Sequence, residues 1–239
     1  MRLLNNLYYR LTIQLHRHYN VHALSRSNGR LLNNCRKAII NKNREIKVGT
    51  YEITLKRRSI RRFKNIAIPY EILEKCVNAA RLAPSAANLQ PLEYIIVDDE
   101  QLLPKIFDML KWARYITPAG DPPPGHRPTA YIVVLMKEGV GYKNLENYDA
   151  GLAVENMILV ALEDGIGSCC LGSIDINRLK ELLNIPEGYI ISLVLALGYP
   201  DESPVVEEFR ESPKYWKDKD SVLHVPKRGL KEILHRNKF

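Results

Sequence analysis

The sequence KRRSIRRFKN, residues 56–65, concentrates Lys and Arg directly after a stretch that is predicted to be a short helix. Beyond that helix the chain is predicted to be extended, and alternate side chains of an extended chain share one face. Arg57, Ser59 and Arg61 would then face one way, with Arg58 on the opposite face. Guanidinium groups bind phosphate and carbonyl oxygens in bidentate geometry. These residues alone are consistent with an anion clamp or with a solvated basic face.

The chain around this segment alternates helical and strand patterns without a strict strand–helix–strand repeat. Apolar spacing and turn residues predict short helices at residues 50–58 and near the C-terminus, and longer ones at residues 67–83, 100–113, 147–165 and 176–186. Apolar runs predict strands at residues 93–99, 131–138 and 189–200. A proline-rich loop is predicted at 115–130, and the chain after Pro204 is predicted to be charged and irregular. This pattern favours an α+β fold with a central, mostly antiparallel or mixed sheet.

The positive charge of the chain is confined to its first fifty residues. The whole sequence carries +8, but residues 1–50 hold ten basic side chains and one acidic side chain, so the other 189 residues sum to −1. A nearly neutral body argues against a broad nucleic-acid footprint. Residues 1–48 are therefore interpreted as a basic N-terminal extension of a domain at 49–239. Three readings of the extension stay open: a poorly ordered segment, an over-extended gene start with the true start near Val48, and a transit or surface-binding arm.

Composition disfavours several classes of protein. No run of about 18 apolar residues predicts a membrane-spanning helix. The cysteines form no C-x-x-C pair and are interpreted as reduced thiols of a cytoplasmic protein; they are Cys35, Cys76, Cys169 and Cys170. The cluster of His16, His18 and His22 has no acidic or thiol partner nearby and is not interpreted as a metal site. We therefore expect no metal, no membrane partner and no nucleic-acid partner.

Three further segments have a composition that suits contact with a ligand. APSAANLQP, residues 83–91, follows a predicted helix and precedes a strand, and Asn88 can both donate to and accept from the edge of a heterocycle. GIGSCCLGS, residues 165–173, is placed between two helices and could turn its backbone amides toward a ligand. HVPKRG, residues 224–229, contains two adjacent cations. Each segment is a weak signal alone, and GIGSCCLGS lacks the G-x-G-x-x-G pattern of a Rossmann dinucleotide site.

Together, in this order and at these spacings, the four segments resemble the FMN-dependent nitroreductase family. RRSIRRF resembles the family's R-x-S-x-[RK] flavin motif, APSAANLQP its P-S-x-x-N-x-Q-P loop, GIGSCCLG its G-x-G-[ST]-x-x-x-G segment, and GYP its turn after a strand. The resemblance covers about residues 50–234, and one departure is Leu92, where the family often has Trp. It implies a three-layer α/β/α fold with helices flanking a mostly antiparallel (mixed) sheet. It also implies a domain-intertwined homodimer with FMN at the interface.

The resemblance assigns roles to residues of the first and second motifs. Arg57 and Ser59 would hold the FMN phosphate or the ribityl chain. Arg58, on the opposite face of the extended chain, is an additional candidate cofactor-binding residue that the alternation offers as an anchor. Arg61 would reach the pyrimidine edge of the flavin, where its charge would stabilise a reduced, anionic ring. Asn88 would bind that edge as well. With the family resemblance, the alternating side chains of residues 56–65 are predicted to bind one FMN molecule.

Other residues would surround the isoalloxazine ring and the phosphate. Pro84, Ser85 and Ala86 would come from the opposite subunit and pack near the ring, while Leu171 and Gly172 would present backbone near flavin N5. The C-terminal cations expected to close on the phosphate are Lys227 and Arg228, with rival candidates at Arg210 and Lys214.

The activity that the resemblance implies is an FMN-dependent oxidoreductase. A hydride from NADH or NADPH would enter at flavin N5, and a small organic acceptor such as a nitroaromatic or a quinone would be reduced at the same face, which implies ping-pong kinetics. The protein's task would be binding, orientation and electrostatics, so no side chain is assigned as catalytic. Two alternatives stay open. One is a specialised flavin enzyme of the same fold, of the reductive dehalogenase or flavin-cleaving type; the other is a basic nucleic-acid or membrane-surface binder that uses residues 1–62.

Overall fold

The computed structural model describes residues 49–143 and 145–239. The predictions for residues 1–48 lie outside the described residues. The α-helices within the described ranges are α1 (Thr50–Lys56), α2 (Tyr70–Ala80), α3 (Leu103–Phe107), α4 (Glu146–Glu163), α5 (Ile176–Leu182) and α6 (Leu230–Ile233). The strands are β1 (Leu92–Val97), β2 (Ala130–Lys137), β3 (Gly167–Leu171), β4 (Tyr189–Gly198), β5 (Val205–Glu208), β6 (Trp216–Lys217) and β7 (Leu223–Lys227).

The central sheet has its strands in the order β1–β2–β4–β3, and each neighbouring pair is antiparallel. Successive side chains of a strand point to opposite faces, and β2 is buried on both faces from Ala130 to Met136. A strand of this kind needs a layer on each side of the sheet. That two-sided burial is the reason why β2 and β4 appear in the sequence as continuous apolar runs.

Helices provide both covering layers. On one face, Ile132 of β2 belongs to a buried cluster with Leu73 of α2 and Met157 of α4. On the other face, Val133 of β2 belongs to a cluster with Leu179 of α5, and α3 contributes to the same cluster. The predicted α+β fold, with helices on both sides of a mostly antiparallel sheet, is confirmed.

Residues 57–63 are extended, as predicted, and they run beside β3. A parallel backbone bridge pairs Ser59 with Ser168 of β3. Phe63 is fully buried, and it lies so close to Gly198 of β4 that a Cβ added there would be 2.7 Å from the Phe63 ring. The Arg-rich segment is therefore fastened to the central sheet at both of its ends.

The prediction for GIGSCCLGS missed a strand, because Gly167–Leu171 forms β3 and pairs with β4. Gly, Ser and Cys carry little local preference for strands, so the pairing with distant β4 decides the conformation. The close approach of residues 57–63 also explains one glycine. A Cβ added at Gly167 would lie 2.8 Å from Ile60, so a larger residue would push the Arg-rich segment away.

The chain after Pro204 was predicted to be irregular, and this was wrong in part. It forms a second sheet in the order β5–β7–β6, in which β5 is parallel and β6 antiparallel to β7. Strands of two to five residues show too little periodicity to be recognised locally, and β5 pairs with a strand that follows an intervening loop. The short C-terminal helix was predicted correctly and is α6.

The end of α4 follows from the local sequence, whereas tertiary contacts shorten the helix that was predicted at residues 100–113. α4 stops at Glu163, and Gly165 takes a φ of 75°, the conformation for which glycine is favoured after a helix. The helix predicted at 100–113 spans only Leu103–Phe107. Just beyond it, Leu110 forms a backbone bridge with Ile174, so pairing with the β3–α5 connection ends the helix early.

Candidate functional site

The loop at residues 84–90 has an uncommon backbone conformation. Ala87, Asn88 and Gln90 have φ angles of 50°, 55° and 51°, and this left-handed region costs an L-residue about 1 kcal/mol or more. The Ser85 hydroxyl oxygen accepts a hydrogen bond from the Gln90 amide at 3.0 Å. Backbone strain of this kind occurs where surrounding structure enforces it, often at ligand sites. The loop predicted to contact a ligand is thus a fixed structure.

The groups predicted to face a ligand on this loop lie at the surface. Pro84 and Asn88 are exposed, and Ser85 and Ala86 are partly exposed. The Ala86 amide donates to Oδ1 of Asp149 at 2.9 Å, a buried carboxylate in the first turn of α4. Sequence reasoning missed Asp149. The available signal was an acidic residue on the apolar, buried stripe of a helix, since a buried charge is costly unless it is used.

Arg57 extends from the segment toward α4. Its Nε lies 3.8 Å from Oε1 of Glu155, and this ion pair is partly exposed. Both side chains act on the thiol of Cys170, an exposed residue of β3 whose sulfur is nevertheless largely surrounded by protein. The pKa of Cys170 is raised to about 12, chiefly by that desolvation and also by Cys169 and Glu155, while Arg57 opposes the rise. Arg57 and the C-terminal half of β3 therefore share one surface.

Arg61 is partly buried, and its Nε has no hydrogen-bond partner among the described residues. Its guanidinium carbon lies 5.1 Å from the centre of the Tyr215 ring, within cation–π range. Burial raises the pKa of the Cys169 thiol, and the adjacent Arg61 guanidinium counteracts part of that rise. A buried donor without an acceptor is costly, so Arg61 has the capacity to bind an oxygen of a ligand. Tyr215 was not identified from the sequence.

Arg58 and Arg61 have different surroundings, whereas Arg57, which was predicted to share a face with Arg61, lies beside the same cavity as Arg58. Arg58 and Ile60 line a cavity of about 280 Å³ together with Glu202, and Arg57 also lines it. The Arg58 guanidinium donates to the carbonyl of Arg57, and its pKa is lowered, chiefly by burial and also by the neighbouring Arg57 charge. Arg61 does not line this cavity. Arg58 and Arg61 therefore lie in different environments. A cofactor-binding role for Arg58 stays a prediction.

The C-terminal end of β3 offers open backbone. Leu171 is buried, whereas Gly172 is exposed. A Cβ added at Gly172 would meet no atom within 4 Å. Space is therefore open in front of this glycine, and the role of its backbone beside the flavin stays a prediction.

Lys227 and Arg228 are exposed at the end of β7. Arg228 Nη2 donates to the Glu232 carbonyl at 3.0 Å, and its Nε lies 3.7 Å from Glu232 Oε2. Among residues 49–143 and 145–239, these two cations share no hydrogen-bond or ion-pair partner with Arg57 or Arg61. The predicted phosphate contacts of Lys227 and Arg228 therefore stay predictions.

The rival cation Lys214 is connected to Arg61 through two aromatic rings. Lys214 Nζ lies 5.9 Å from the centre of the Tyr115 ring, and that ring packs 5.1 Å from the ring of Tyr215, which Arg61 contacts. Arg210 lines a cavity of about 360 Å³ that Lys214 also lines. Lys214 is thus linked to the Arg61 environment, although nothing places it beside Arg57.

The described part of the chain carries neither a membrane-spanning helix nor a metal-binding cluster. No helix there is long and apolar enough to cross a bilayer. The same residues contain no group of three His, Cys, Asp or Glu side chains arranged to hold a metal ion. The thiols of Cys76, Cys169 and Cys170 are free.

Comparison with known proteins connects these features to a family. Residues 54–199 match the family model described as the nitroreductase family. A protein of Archaeoglobus fulgidus, described as a candidate NADH dehydrogenase/NAD(P)H nitroreductase, is 35% identical over 152 residues, which are 61% of this chain and 82% of that protein. An iodotyrosine deiodinase of Haliscomenobacter hydrossis is 26% identical over 201 residues, covering 73% and 87% of the two chains.

Solved structures share the fold. An FMN-dependent nitroreductase of Clostridium difficile is 26% identical with a TM-score of 0.54, over 77% of this chain and 96% of that one. A nitroreductase from Desulfovibrio desulfuricans, solved in complex with FMN, is 23% identical with a TM-score of 0.58, over 80% and 97%. The match to the family model spans the central sheet, the Arg-rich segment and the strained loop, and the chain therefore belongs to the nitroreductase family.

Proposed function

We propose that this protein is an FMN-dependent oxidoreductase that uses NADH or NADPH to reduce a small organic acceptor such as a nitroaromatic or a quinone. Family membership and the relatives' names support the reaction class. The observation that carries the proposal is the buried Nε of Arg61, which has no hydrogen-bond partner among the described residues. A guanidinium held in that state by the fold fits an oxygen-rich ligand.

The residues present fit the phosphate and ring of FMN. Arg57 has only a loose, partly exposed pairing with Glu155, so its charge is available for a phosphate or ribityl oxygen, with Ser59 beside it. Arg61 would bind the pyrimidine edge and stabilise negative charge there. Gly172, with open space before it, would offer its backbone to the ring near N5.

Bound FMN would supply the redox chemistry, because it takes a hydride equivalent at N5 and returns two electrons to an acceptor. This chain would supply binding, orientation and charge. No side chain is assigned as a nucleophile or as a proton carrier. Donor and acceptor would use the same open face, and the kinetics would be ping-pong.

The functional unit in this proposal is a homodimer. Pro84, Ser85 and Ala86 would reach the flavin of the opposite subunit. Exposed apolar side chains on α4, Tyr148 and Leu152, support a surface that pairs with a second copy, since large exposed apolar groups in a cluster often mark an interface. The free thiols are consistent with a reducing, cytoplasmic environment.

The test is direct. Purified protein should carry or take up FMN, show the visible absorption of bound flavin, and lose that absorption when NADH or NADPH is added without air. Steady-state rates against both substrates should then give parallel reciprocal plots. A colourless protein that does not take up added FMN would contradict the proposal, and a salt-dependent shift of labelled DNA by such a protein would favour the nucleic-acid binder instead.

A second candidate activity is reductive dehalogenation. The observation that favours it is the presence of relatives named iodotyrosine deiodinase at 26% and 27% identity. Release of iodide from iodotyrosine by the reduced protein, compared with the rates for a nitroaromatic and a quinone, distinguishes the two candidates. The flavin-binding residues would be common to both activities.

A further inference from the structure

The strained loop at residues 84–90 is held from outside by one side chain. Asp149 Oδ1 accepts the Ala86 amide at 2.9 Å. The other hydrogen bonds of residues 84–90 among the described residues are internal to the loop, such as Asn88 amide to Ser85 carbonyl at 2.9 Å and Gln90 amide to Ser85 Oγ at 3.0 Å. Between its two anchored ends, the loop is therefore joined to the rest of the described fold by a single hydrogen bond, to α4.

Asp149 is an unusual residue to find at this place in the core. It is 3% exposed, one of two polar residues that are buried in the described part of the chain. Its Oδ2 makes no hydrogen bond within those residues. A buried carboxylate is costly, and the neighbouring α4 residues Ala150 and Ala153 are apolar. The charge is therefore not explained by helix packing, which an apolar side chain would serve better.

The conformational strain of the loop explains why a carboxylate is present at this buried position. Three residues in left-handed conformation store unfavourable energy in a segment of seven residues. An amide held by a charged acceptor is a stronger anchor than a neutral hydrogen bond. Asp149 also lines a cavity of about 150 Å³ with Ser85, Gln90 and Arg81, so the carboxylate lies beneath both ends of the loop.

We infer that Asp149 is a positioning residue, which fixes the 84–90 loop in the conformation that meets the flavin of the opposite subunit. The part of this inference that concerns the flavin rests on the proposed function. The part that concerns the loop conformation rests on the hydrogen bond between Asp149 and the Ala86 amide. The carboxylate would act through the loop backbone, which it preorganises so that cofactor binding does not have to order the loop. Preorganisation strengthens FMN binding, because no free energy is then lost in ordering a flexible segment.

The experiment measures amide hydrogen exchange of residues 83–91 in the full-length protein, with and without added FMN, together with FMN affinity. Asp149→Ala should speed exchange of the Ala86 amide by about tenfold or more and weaken FMN binding by a similar factor, the scale of one charged hydrogen bond. Asp149→Asn keeps an oxygen acceptor and should restore most of both properties. The matched control is Asn156→Ala, which removes another α4 contact, from Asn156 Nδ2 to the Ala79 carbonyl at 3.2 Å, without touching the loop.

Exchange in Asp149→Ala that stays within about twofold of wild type, or an equal rise in Asn156→Ala, would overturn the inference. If Asp149→Ala does not fold, the wild-type protein still tests it. The Ala86 amide should then be protected as strongly as the amides of α4, and the adjacent Ala87 amide should exchange fast. Equal exchange rates at these two amides would show that the hydrogen bond to Asp149 does not fix the loop. Wild-type protein that binds no FMN would contradict the proposed function alone, because loop exchange does not depend on the cofactor.

Discussion

The Arg-rich segment at 57–63 and the C-terminal pair Lys227 and Arg228 offer the same charge on very different supports. The segment is bound to the central sheet, with the Ile60 amide donating to the Ser168 carbonyl at 2.8 Å. Lys227 and Arg228 are exposed, and the contacts of the Arg228 side chain are to nearby Glu232 in α6. The Arg57 side chain beside the central sheet is 29% exposed, whereas the Arg228 side chain after the second sheet is 58% exposed.

The difference concerns the cost of ordering. A long side chain loses about 0.5–1.5 kcal/mol of conformational freedom when a ligand immobilises it, and an exposed ion pair such as Arg228–Glu232 contributes at most about 1 kcal/mol to holding it. Arg57 starts from a less exposed position than Arg228, so it has less conformational freedom to lose. We therefore expect the ordered segment to supply most of the affinity for a phosphate, and the exposed pair to supply less than its charge suggests.

The largest effect is expected where the segment meets the core. Phe63→Ala removes a fully buried ring and should lower the free energy of unfolding by about 3–5 kcal/mol. The measurement is chemical denaturation of the flavin-free protein. Phe239→Ala is the matched control, because Phe239 is fully exposed and should change stability by less than about 0.5 kcal/mol. Similar losses in the two variants would show that the segment is not fastened through Phe63.

The next prediction compares the FMN affinities of variants in the Arg-rich segment and in the C-terminal pair. Arg57→Ala should weaken FMN binding by about 1.5–3 kcal/mol, as for a charged hydrogen bond. Arg228→Ala should cost about 1 kcal/mol or less, because part of its interaction is offset by ordering an exposed side chain. Titration of flavin fluorescence measures both. The reverse ranking would mean that the C-terminal residues, and not the sheet-bound segment, form the main phosphate clamp.

A smaller effect of opposite sign is expected at Glu155. Its carboxylate lies 3.8 Å from Arg57 Nε and would repel a phosphate bound at that arginine. Glu155→Gln should therefore tighten FMN binding, by at most about 1 kcal/mol for a partly exposed pair. Weaker binding in this variant would show that Glu155 orients Arg57 and does not compete with the ligand.

The two regions also differ in how far sequence reasoning could predict them. The extended segment was predicted because alternation of Arg57, Ser59 and Arg61 is a local pattern with a known match in a family. The second sheet was missed because β5 and β7 are short and depend on each other across an intervening loop. Asp149 was missed for a related reason: its partner, the Ala86 amide, lies 63 residues away, and an acid in the first turn of a helix is ordinary on local grounds.

The smallest effect lies in the second sheet, which supports Lys227. His224 of β7 lies between two carboxylates, with Nδ1 3.2 Å from Glu207 Oε2 and Nε2 3.2 Å from Asp218 Oδ2. Both ring nitrogens can donate only when the imidazole is protonated. The Trp216 ring stacks on His224 at 4.2 Å. This cluster connects the loop after β6 to both outer strands of the sheet.

The pKa of Asp218 is lowered, first by its hydrogen bond to His224 and then by the amide of Val222. Because the folded pKa lies below the unfolded value of about 3.9, the bond stabilises the sheet fully above that pH and is lost as the pH falls through the folded pKa. The His224 ring lies 3.2 Å from Asp218 through Nε2, so its NMR resonances should shift in acid when Asp218 is protonated. Asp218→Asn should abolish the Asp218 part of that shift. An unchanged acid response in this variant would mean that the His224 cluster does not hold the sheet, and that Lys227 depends for its position on the β5–β7 pairing alone.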